Sequence, residues 1–241
     1  MEVSNIENIK SIITNTNFKH LAIIMDGNRR WAKKHNLPSA FGHKKGVTAL
    51  KNIVRYCDKF GIEYLTVYAF STENWHRKRE EVDFLMGLIK STLDNELSEL
   101  YEENVVIKFI GDISKLSISL QETMENSVEK TKNNTGVKLN IAINYGGRAE
   151  IVNAVKNIVR RGITEEDITE ELITNELYTG NIPMPDLLVR TGGEMRISNY
   201  LLWQIAYSEF YVTDKYWPEF DEEELFKAIS EYNSRQRRFG V

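Results

Sequence analysis

Leu21-Ala22-Ile23-Ile24-Met25-Asp26-Gly27-Asn28-Arg29-Arg30-Trp31 passes from an unbroken apolar run into a polar turn and then into a cluster of cations. Five apolar residues bounded by a turn read as a strand buried on both faces, the kind that parallel sheets contain. Asp, Gly and Asn suit a turn or a helix N-cap, so a helix is expected to open near Arg29. Strand, tight loop and helix together form the repeating unit of α/β folds.

The alternation continues along the chain. Val47, Leu50, Ile53, Val54, Cys57 and Phe60 recur at helical spacing, with Gly61 as a C-cap candidate. A strand is expected at residues 62–70, followed by a long amphipathic helix marked by Val82, Leu85, Met86, Ile89, Leu93, Leu97 and Leu100. Residues 105–110 read as strand, 120–132 as helix, 137–144 as strand and 149–161 as helix. A short strand at 186–190, another within 205–212 and a last helix at 222–235 complete the pattern, with 162–185 the loosest part. The expectation is a single α/β domain over residues 20–241, with a central, mostly parallel sheet flanked by helices. A polar, Asn-rich N-terminal segment, residues 1–19, precedes it.

Composition narrows the class. A chain of 241 residues can bury one large core. Its 31 Lys+Arg against 35 Asp+Glu leave a net charge of −4, which argues against a nucleic-acid partner. The single Cys57 excludes a disulfide framework and a Cys-based zinc site and fits a reducing compartment. No apolar run is long enough to span a bilayer, and residues 1–19 lack the apolar stretch of a signal peptide. A soluble cytoplasmic protein is expected.

Open α/β sheets bind ligands beyond the carboxyl ends of their strands, so the strand-end loops hold the candidates. In the first, Arg29, Arg30, Lys33 and Lys34 crowd the opening turns of a helix. Cations there oppose the helix dipole by ~0.3–1 kcal/mol each, and a bound anion reverses that penalty. Free backbone N–H groups and two guanidinium forks suit a phosphate or diphosphate, and Gly27 lets the backbone come close to it. Asp26, a carboxylate beside an anion site, is reconciled by Mg²⁺ between the two; the alternative is N-cap duty. His43 after Gly42 reads either as a second anion site at a helix start or as a structural histidine.

In the second loop, Phe70-Ser71-Thr72-Glu73-Asn74-Trp75-His76-Arg77 offers a polar site with an apolar wall, or a plain Ser cap with Glu73 or Asn74 in the next turn. In the third, Arg190-Thr191-Gly192-Gly193 is followed by Arg196-Ile197-Ser198. Two arginines and a hydroxyl around a Gly-rich turn suit a second diphosphate, or form a tight loop with exposed arginines. Glu209, inside an otherwise apolar run, either pairs with one of these arginines or binds metal.

Together the three segments resemble the signature motifs of the cis-prenyltransferases, in particular the bacterial branch that makes undecaprenyl diphosphate. Asn144-Tyr145-Gly146-Gly147-Arg148, Trp217-Pro218 and the terminal Arg237-Arg238-Phe239-Gly240 also fit, so the resemblance covers nearly all of the chain from His20. It implies an α/β domain with a hydrophobic tunnel, usually in a homodimer, that condenses farnesyl diphosphate with successive isopentenyl diphosphates using Mg²⁺. The implied product is a long-chain polyprenyl diphosphate of the undecaprenyl type, a lipid carrier for cell-wall synthesis, which requires at most peripheral membrane contact.

By matching position, Asp26 is implied as the catalytic aspartate and Mg²⁺ ligand. Gly27, Asn28, Arg29, Arg30 and His43 cradle the allylic diphosphate, with Trp31 in the same motif. Ser71, Asn74 and Trp75 are implied to lie by the reacting carbons, with Asn74 as proton acceptor; Thr72 and Glu73 are implied as substrate-binding, and Arg77 supports the site. Arg190, Arg196, Ile197 and Ser198 hold isopentenyl diphosphate, and Glu209 is implied as a metal ligand. Arg238 and Gly240 reach the neighbouring subunit. Two positions depart from the pattern: Ser39 stands where an Arg is usual, with Arg29 as a compensating cation, and Met195 occupies a commonly polar position. The trans-prenyltransferases share these substrates but use an Asp-Asp-x-x-Asp motif, which this sequence lacks. A non-catalytic partner subunit would lack Asp26, and a nucleotide enzyme would carry a P-loop, also missing here.

Overall fold

The computed structural model describes residues 3–235. Arg238 and Gly240, implied to cross to a neighbouring subunit, lie outside the described residues. Six strands form one sheet: β1 (His20–Ile24), β2 (Tyr64–Ser71), β3 (Val106–Ile110), β4 (Lys138–Tyr145), β5 (Leu187–Arg190) and β6 (Glu209–Val212). Their order is β3-β4-β2-β1-β5-β6, and every pairing is parallel. Eight α-helices connect and cover them: α1 (Val3–Thr16), α2 (Asn28–Lys34), α3 (Ser39–Phe60), α4 (Arg79–Glu102), α5 (Ile118–Thr131), α6 (Gly147–Arg160), α7 (Glu170–Glu176) and α8 (Glu222–Ser234). The expected single α/β domain with a parallel sheet is what forms.

Strand side chains alternate between two buried layers. Leu21, Ile23, Leu65, Val67, Leu139, Ile141, Leu187 and Val189 join the larger core with α1, α3, α4, α5 and α8. Ala22, Ile24, Ala142, Tyr145 and Leu188 face the other way, against Ile182, Tyr200, Leu201 and Ile205. Burial on both sides explains why the strands read as apolar runs without polar alternation.

Local signals set the helix ends. Gly61 closes α3 at φ 87°, a left-handed conformation that Gly adopts without a Cβ penalty. The Asp221 side chain accepts the Glu224 N–H to cap α8. Three expectations change. The N-terminal segment contains α1, whose Ile9, Ile12 and Ile13 are buried against the core; spaced three and four apart, they form an apolar stripe that the Asn-rich composition masked. Helix α3 opens at Ser39 after Pro38, so His43 lies in its second turn and not at a helix start. Residues 205–208 are not strand; β6 begins at Glu209.

The sheet order places the site. From β1 the chain first builds toward β2, β4 and β3, and later returns to the other side of β1 with β5. The crevice beyond the ends of β1 and β5 is therefore the topological switch point, where such sheets bind ligands.

Candidate active site

Ile24 and Arg190 are register partners at the ends of β1 and β5, so Asp26 and Arg190 emerge side by side. Arg190 Nη2 donates to Asp26 Oδ2 at 2.9 Å, and Arg30 Nη2 lies 3.0 Å from Asp26 Oδ1. Burial works against charging Asp26, but hydrogen bonds from Arg190 and Arg30 outweigh it and hold the carboxyl below its ordinary range. Asp26 is thus an ionised carboxylate gripped by two cations. Arg190, only 6% exposed, also donates to Ser198 Oγ at 3.0 Å and to the Arg196 carbonyl.

Glycines make this packing possible. Gly192 has φ 84°, and a Cβ there would fall 2.5 Å from Arg30 Nη2. Arg30 Nη1 donates to the Gly192 carbonyl at 2.7 Å. Gly27 caps α2 at φ 104°, where a Cβ would meet Tyr216 at 2.7 Å. The ring of Tyr216 in turn lies 5.4 Å from the Arg30 guanidinium.

Behind Asp26, three buried polar atoms have no hydrogen-bond partner among the described residues: Asn28 Oδ1, His43 Nε2 and Arg190 Nε. An unmade buried hydrogen bond costs ~1–3 kcal/mol. The three cluster at one rim, so they mark where a polar ligand is expected. Burial first, and then the nearby Arg77 and Arg29 charges, depress the His43 pKa to about 4, so its imidazole is neutral.

The second loop carries both of its possible roles. Ser71 and Asn74 cap each other reciprocally, with Asn74 Oδ1 accepting the Ser71 N–H at 3.1 Å. Both also line the same pocket as Arg190. Glu73 Oε1 accepts from Asn199 at 2.8 Å; this bond and others overcome the effect of burial and lower its pKa. Arg77 donates to Glu81 Oε1 at 2.9 Å, and Arg29 approaches the same oxygen at 3.4 Å.

Two polar cavities meet at Asp26. One, of about 790 Å³, is lined by Asp26, Gly27, Asn28, Arg29, Arg30, His43 and Arg77, with Ser39 on its wall. The other, of about 640 Å³, takes in Asp26, His43, Ser71, Glu73, Asn74, Arg77, Arg190, Arg196 and Ser198. An apolar cavity of about 130 Å³ continues beneath them past Met25, His43 and Leu85, between α3 and α4, to Phe109 and Ile141. Two sites for charged groups thus adjoin one apolar recess.

A sequence model of the family described as "Putative undecaprenyl diphosphate synthase" matches residues 24–240. The chain belongs to the undecaprenyl diphosphate synthase family. It is 51% identical to the isoprenyl transferase of Clostridium tetani over 226 residues, covering 92% of this chain and 89% of that one. It is 48% identical to the isoprenyl transferase of Neisseria gonorrhoeae over 222 residues, with the same coverage. Among solved structures, lavandulyl diphosphate synthase from Lavandula x intermedia, in complex with dimethylallyl diphosphate, is similar with a TM-score of 0.89 and 37% identity, covering 92% of this chain and 98% of that one. A "probable undecaprenyl diphosphate synthase" from Campylobacter jejuni gives 0.80 and 34%, covering 93% and 99%. The chain is therefore a cis-prenyltransferase enzyme.

Within this undecaprenyl diphosphate synthase family fold, five expected site residues lie off the walls of the two polar cavities, Glu209 among them. Trp31 stacks on His35 with ring centroids 4.3 Å apart. Thr72 turns toward Gly146, Trp75 donates to Asn144 Oδ1 at 2.7 Å, and Ile197 packs against the second core layer. Met195 is 87% exposed.

Glu209 sits apart from the other expected site residues. It pairs in register with Leu187, at the start of β5, whereas Arg190 ends that strand. Three residues of strand place it about 10 Å back from the rim, where Arg235 donates to it at 2.8 Å. Among the described residues no group of three or more His, Cys, Asp or Glu side chains is placed to hold a metal ion.

The sequence reading missed Tyr68, Asn199 and Tyr216. Tyr68 and Asn199 line the second polar cavity. Tyr68 donates to the Tyr145 carbonyl at 3.1 Å and stacks on Tyr200 at 4.4 Å. Tyr68 faces the second layer with Tyr64, whereas Phe70, beyond a register shift in β2, lies in the main core, so strand spacing counted from Phe70 did not point to it.

Proposed function

We propose that this enzyme elongates an allylic diphosphate such as farnesyl diphosphate with successive isopentenyl diphosphates, with Mg²⁺, to a long-chain polyprenyl diphosphate of the undecaprenyl type. The observation that carries the reading is the pair of polar cavities meeting at Asp26 above one apolar recess, with Asn28 Oδ1, His43 Nε2 and Arg190 Nε left unpartnered at the junction. Dimethylallyl diphosphate bound to the lavandulyl enzyme of the same fold supports an allylic diphosphate as one occupant.

The donor set fits Mg²⁺ carried by a diphosphate. That ion is held through one or two carboxylates plus phosphate oxygens, and Asp26 is a single carboxylate kept ionised at the mouth of both cavities. When bound, Mg²⁺ supplies neutralising charge to the diphosphate oxygens. The chain's own groups do the rest. The first N–H groups of α2, with Arg29 and Arg30, hold the allylic diphosphate and stabilise the charge that grows on it as its C–O bond breaks. Arg29 and Ser39 line the same cavity, which supports Arg29 as the compensating cation. Arg190, Arg196 and Ser198 hold isopentenyl diphosphate so that its double bond attacks the allylic carbon. One C–C bond forms, diphosphate leaves and one proton is lost. Asn74, whose oxygen already accepts from Ser71, positions the diphosphate that takes up this proton.

The enzyme acts as a homodimer in this reading. Val152, Val155 and Val159 form an exposed apolar stripe on α6, suited to a second copy. It works in the cytoplasm and hands an apolar product, a lipid carrier for cell-wall synthesis, to the membrane by peripheral contact. No helix among the described residues is long and apolar enough to cross a membrane. Incubating the purified chain with farnesyl diphosphate and labelled isopentenyl diphosphate, with and without Mg²⁺, tests the proposal. Mg²⁺-dependent transfer of label into long apolar products is expected, and no transfer under either condition would refute it.

A further inference from the structure

Ser198 and Asn199 both hold left-handed backbone, at φ 49° and 61°. That conformation costs energy in any residue but glycine and persists only where the surroundings impose it. Asn199 is held from three directions. Its backbone carbonyl accepts the Gly147 N–H at 2.7 Å, its side-chain Oδ1 accepts the Arg148 N–H at 3.0 Å, and its Nδ2 donates to Glu73 Oε1 at 2.8 Å. The first two bonds satisfy opening N–H groups of α6, which have no partner within the helix. The third crosses to the loop that follows β2.

Gly146 and Gly147, which the mechanism above does not use, make room for this junction. Gly146 has φ −159°, so it supplies space and no special conformation. A Cβ there would fall 2.5 Å from Thr72 Oγ1 and 2.8 Å from Asn199 Nδ2, and one on Gly147 would fall 2.7 Å from Leu202. The two loops that meet here carry the substrate groups. Asn199 directly follows Ser198, whose hydroxyl accepts from Arg190, and Glu73 directly precedes Asn74. Ser198, Asn199, Glu73 and Asn74 all line the second polar cavity. The bond between Asn199 and Glu73 therefore ties the loop after β5 to the loop after β2 at the wall of that cavity.

We infer that Asn199 is a positioning residue: seated on Gly146 and Gly147, it sets Ser198, and the isopentenyl diphosphate held there, against Asn74 of the neighbouring loop. This rests on the elongation reading above. The test measures steady-state kinetics for the full chain and its variants, with farnesyl diphosphate, labelled isopentenyl diphosphate and Mg²⁺, and denaturant unfolding alongside. Asn199→Asp keeps the acceptor for the Arg148 N–H but replaces the donor to Glu73 with a like charge. It is expected to raise KM for isopentenyl diphosphate about tenfold, the scale of one lost hydrogen bond to a charged group. KM for farnesyl diphosphate should stay within about twofold. Adding Glu73→Gln restores a donor facing an acceptor, with the direction of the bond reversed. It is expected to bring the raised KM back to within about threefold of Glu73→Gln alone. Gly146→Ala crowds the same seat without changing charge and should raise the same KM. An unchanged KM for isopentenyl diphosphate in both Asn199→Asp and Gly146→Ala would overturn the role of Asn199 while leaving elongation intact. So would equal rises for both substrates, a double variant no better than Asn199→Asp, or losses that only track the unfolded fraction. A parent chain that transfers no label would overturn the elongation reading itself.

Discussion

The two ends of the sheet carry similar polar residues and treat them differently. At the amino end of β1, His20 is buried with both ring nitrogens engaged, Nδ1 at 2.6 Å from the Pro183 carbonyl and Nε2 at 2.7 Å from Thr66 Oγ1. Asp186 Oδ2 accepts the backbone N–H groups of Lys19 and His20, and Glu209 accepts from Arg235. At the carboxyl end, His43, Asn28 and Arg190 each leave a buried polar atom unpartnered. Burial depresses both histidines to a pKa of about 4, so burial and titration alone do not tell them apart. Hydrogen-bond satisfaction does. Polar groups that are fully paired hold the fold, and those left unpaired at a concave rim await a ligand.

The contrast predicts which substitutions damage function and which damage stability. Asp26→Asn acts at the unsatisfied end. It is expected to lower label transfer by at least about a hundredfold, the scale of losing a key charge-stabilising contact in a transition state, while circular dichroism shows a folded chain. Near-normal transfer would break the comparison. His20→Leu acts at the satisfied end and strands the Pro183 carbonyl and Thr66 hydroxyl. Denaturant unfolding should show a loss of ~1–3 kcal/mol, with turnover of the folded enzyme unchanged.

Acid sharpens the same point. Both histidines are neutral when folded and have an ordinary value of 6.5 when unfolded. Between those values the unfolded chain binds protons that the folded chain refuses. Their contribution to stability is therefore full above about pH 6.5 and falls as the pH drops toward 4, with a slope approaching ~1.4 kcal/mol per pH unit for each histidine. Unfolding midpoints measured across that window should fall accordingly, and His20→Leu should flatten the slope by about half. The smallest effect belongs to Glu209→Gln. It removes a partly exposed pair with Arg235, worth less than about 1 kcal/mol, and should leave turnover within about twofold. A large loss of Mg²⁺-dependent turnover would return Glu209 to the metal.

Much of this was legible in the residues themselves. The parallel sheet followed from strands with no polar alternation, and the rim from cations placed at the start of α2, where a helix dipole disfavours them. What was hidden depended on partners distant in sequence. The position of Glu209 is set by its register with Leu187, which no local pattern encodes. The burial of Ile9, Ile12 and Ile13 required helical spacing to be weighed above an Asn-rich composition. Tyr216 enters only because Gly27 at φ 104° brings its ring against the turn. Trp31 and Ile197 belong to the matching motifs but turn to neighbouring packing, because a motif specifies sequence position and not the direction of each side chain.

The central claim is that the unpaired atoms at the carboxyl end of the sheet receive a diphosphate. Inorganic diphosphate titrated into the full chain, with the side chains of His43 and His20 followed by NMR, addresses it directly. Saturable shifts at His43 with a rise in its pKa from about 4, and none at His20, are the predicted result. Equal responses at both histidines, or none at His43, would contradict it.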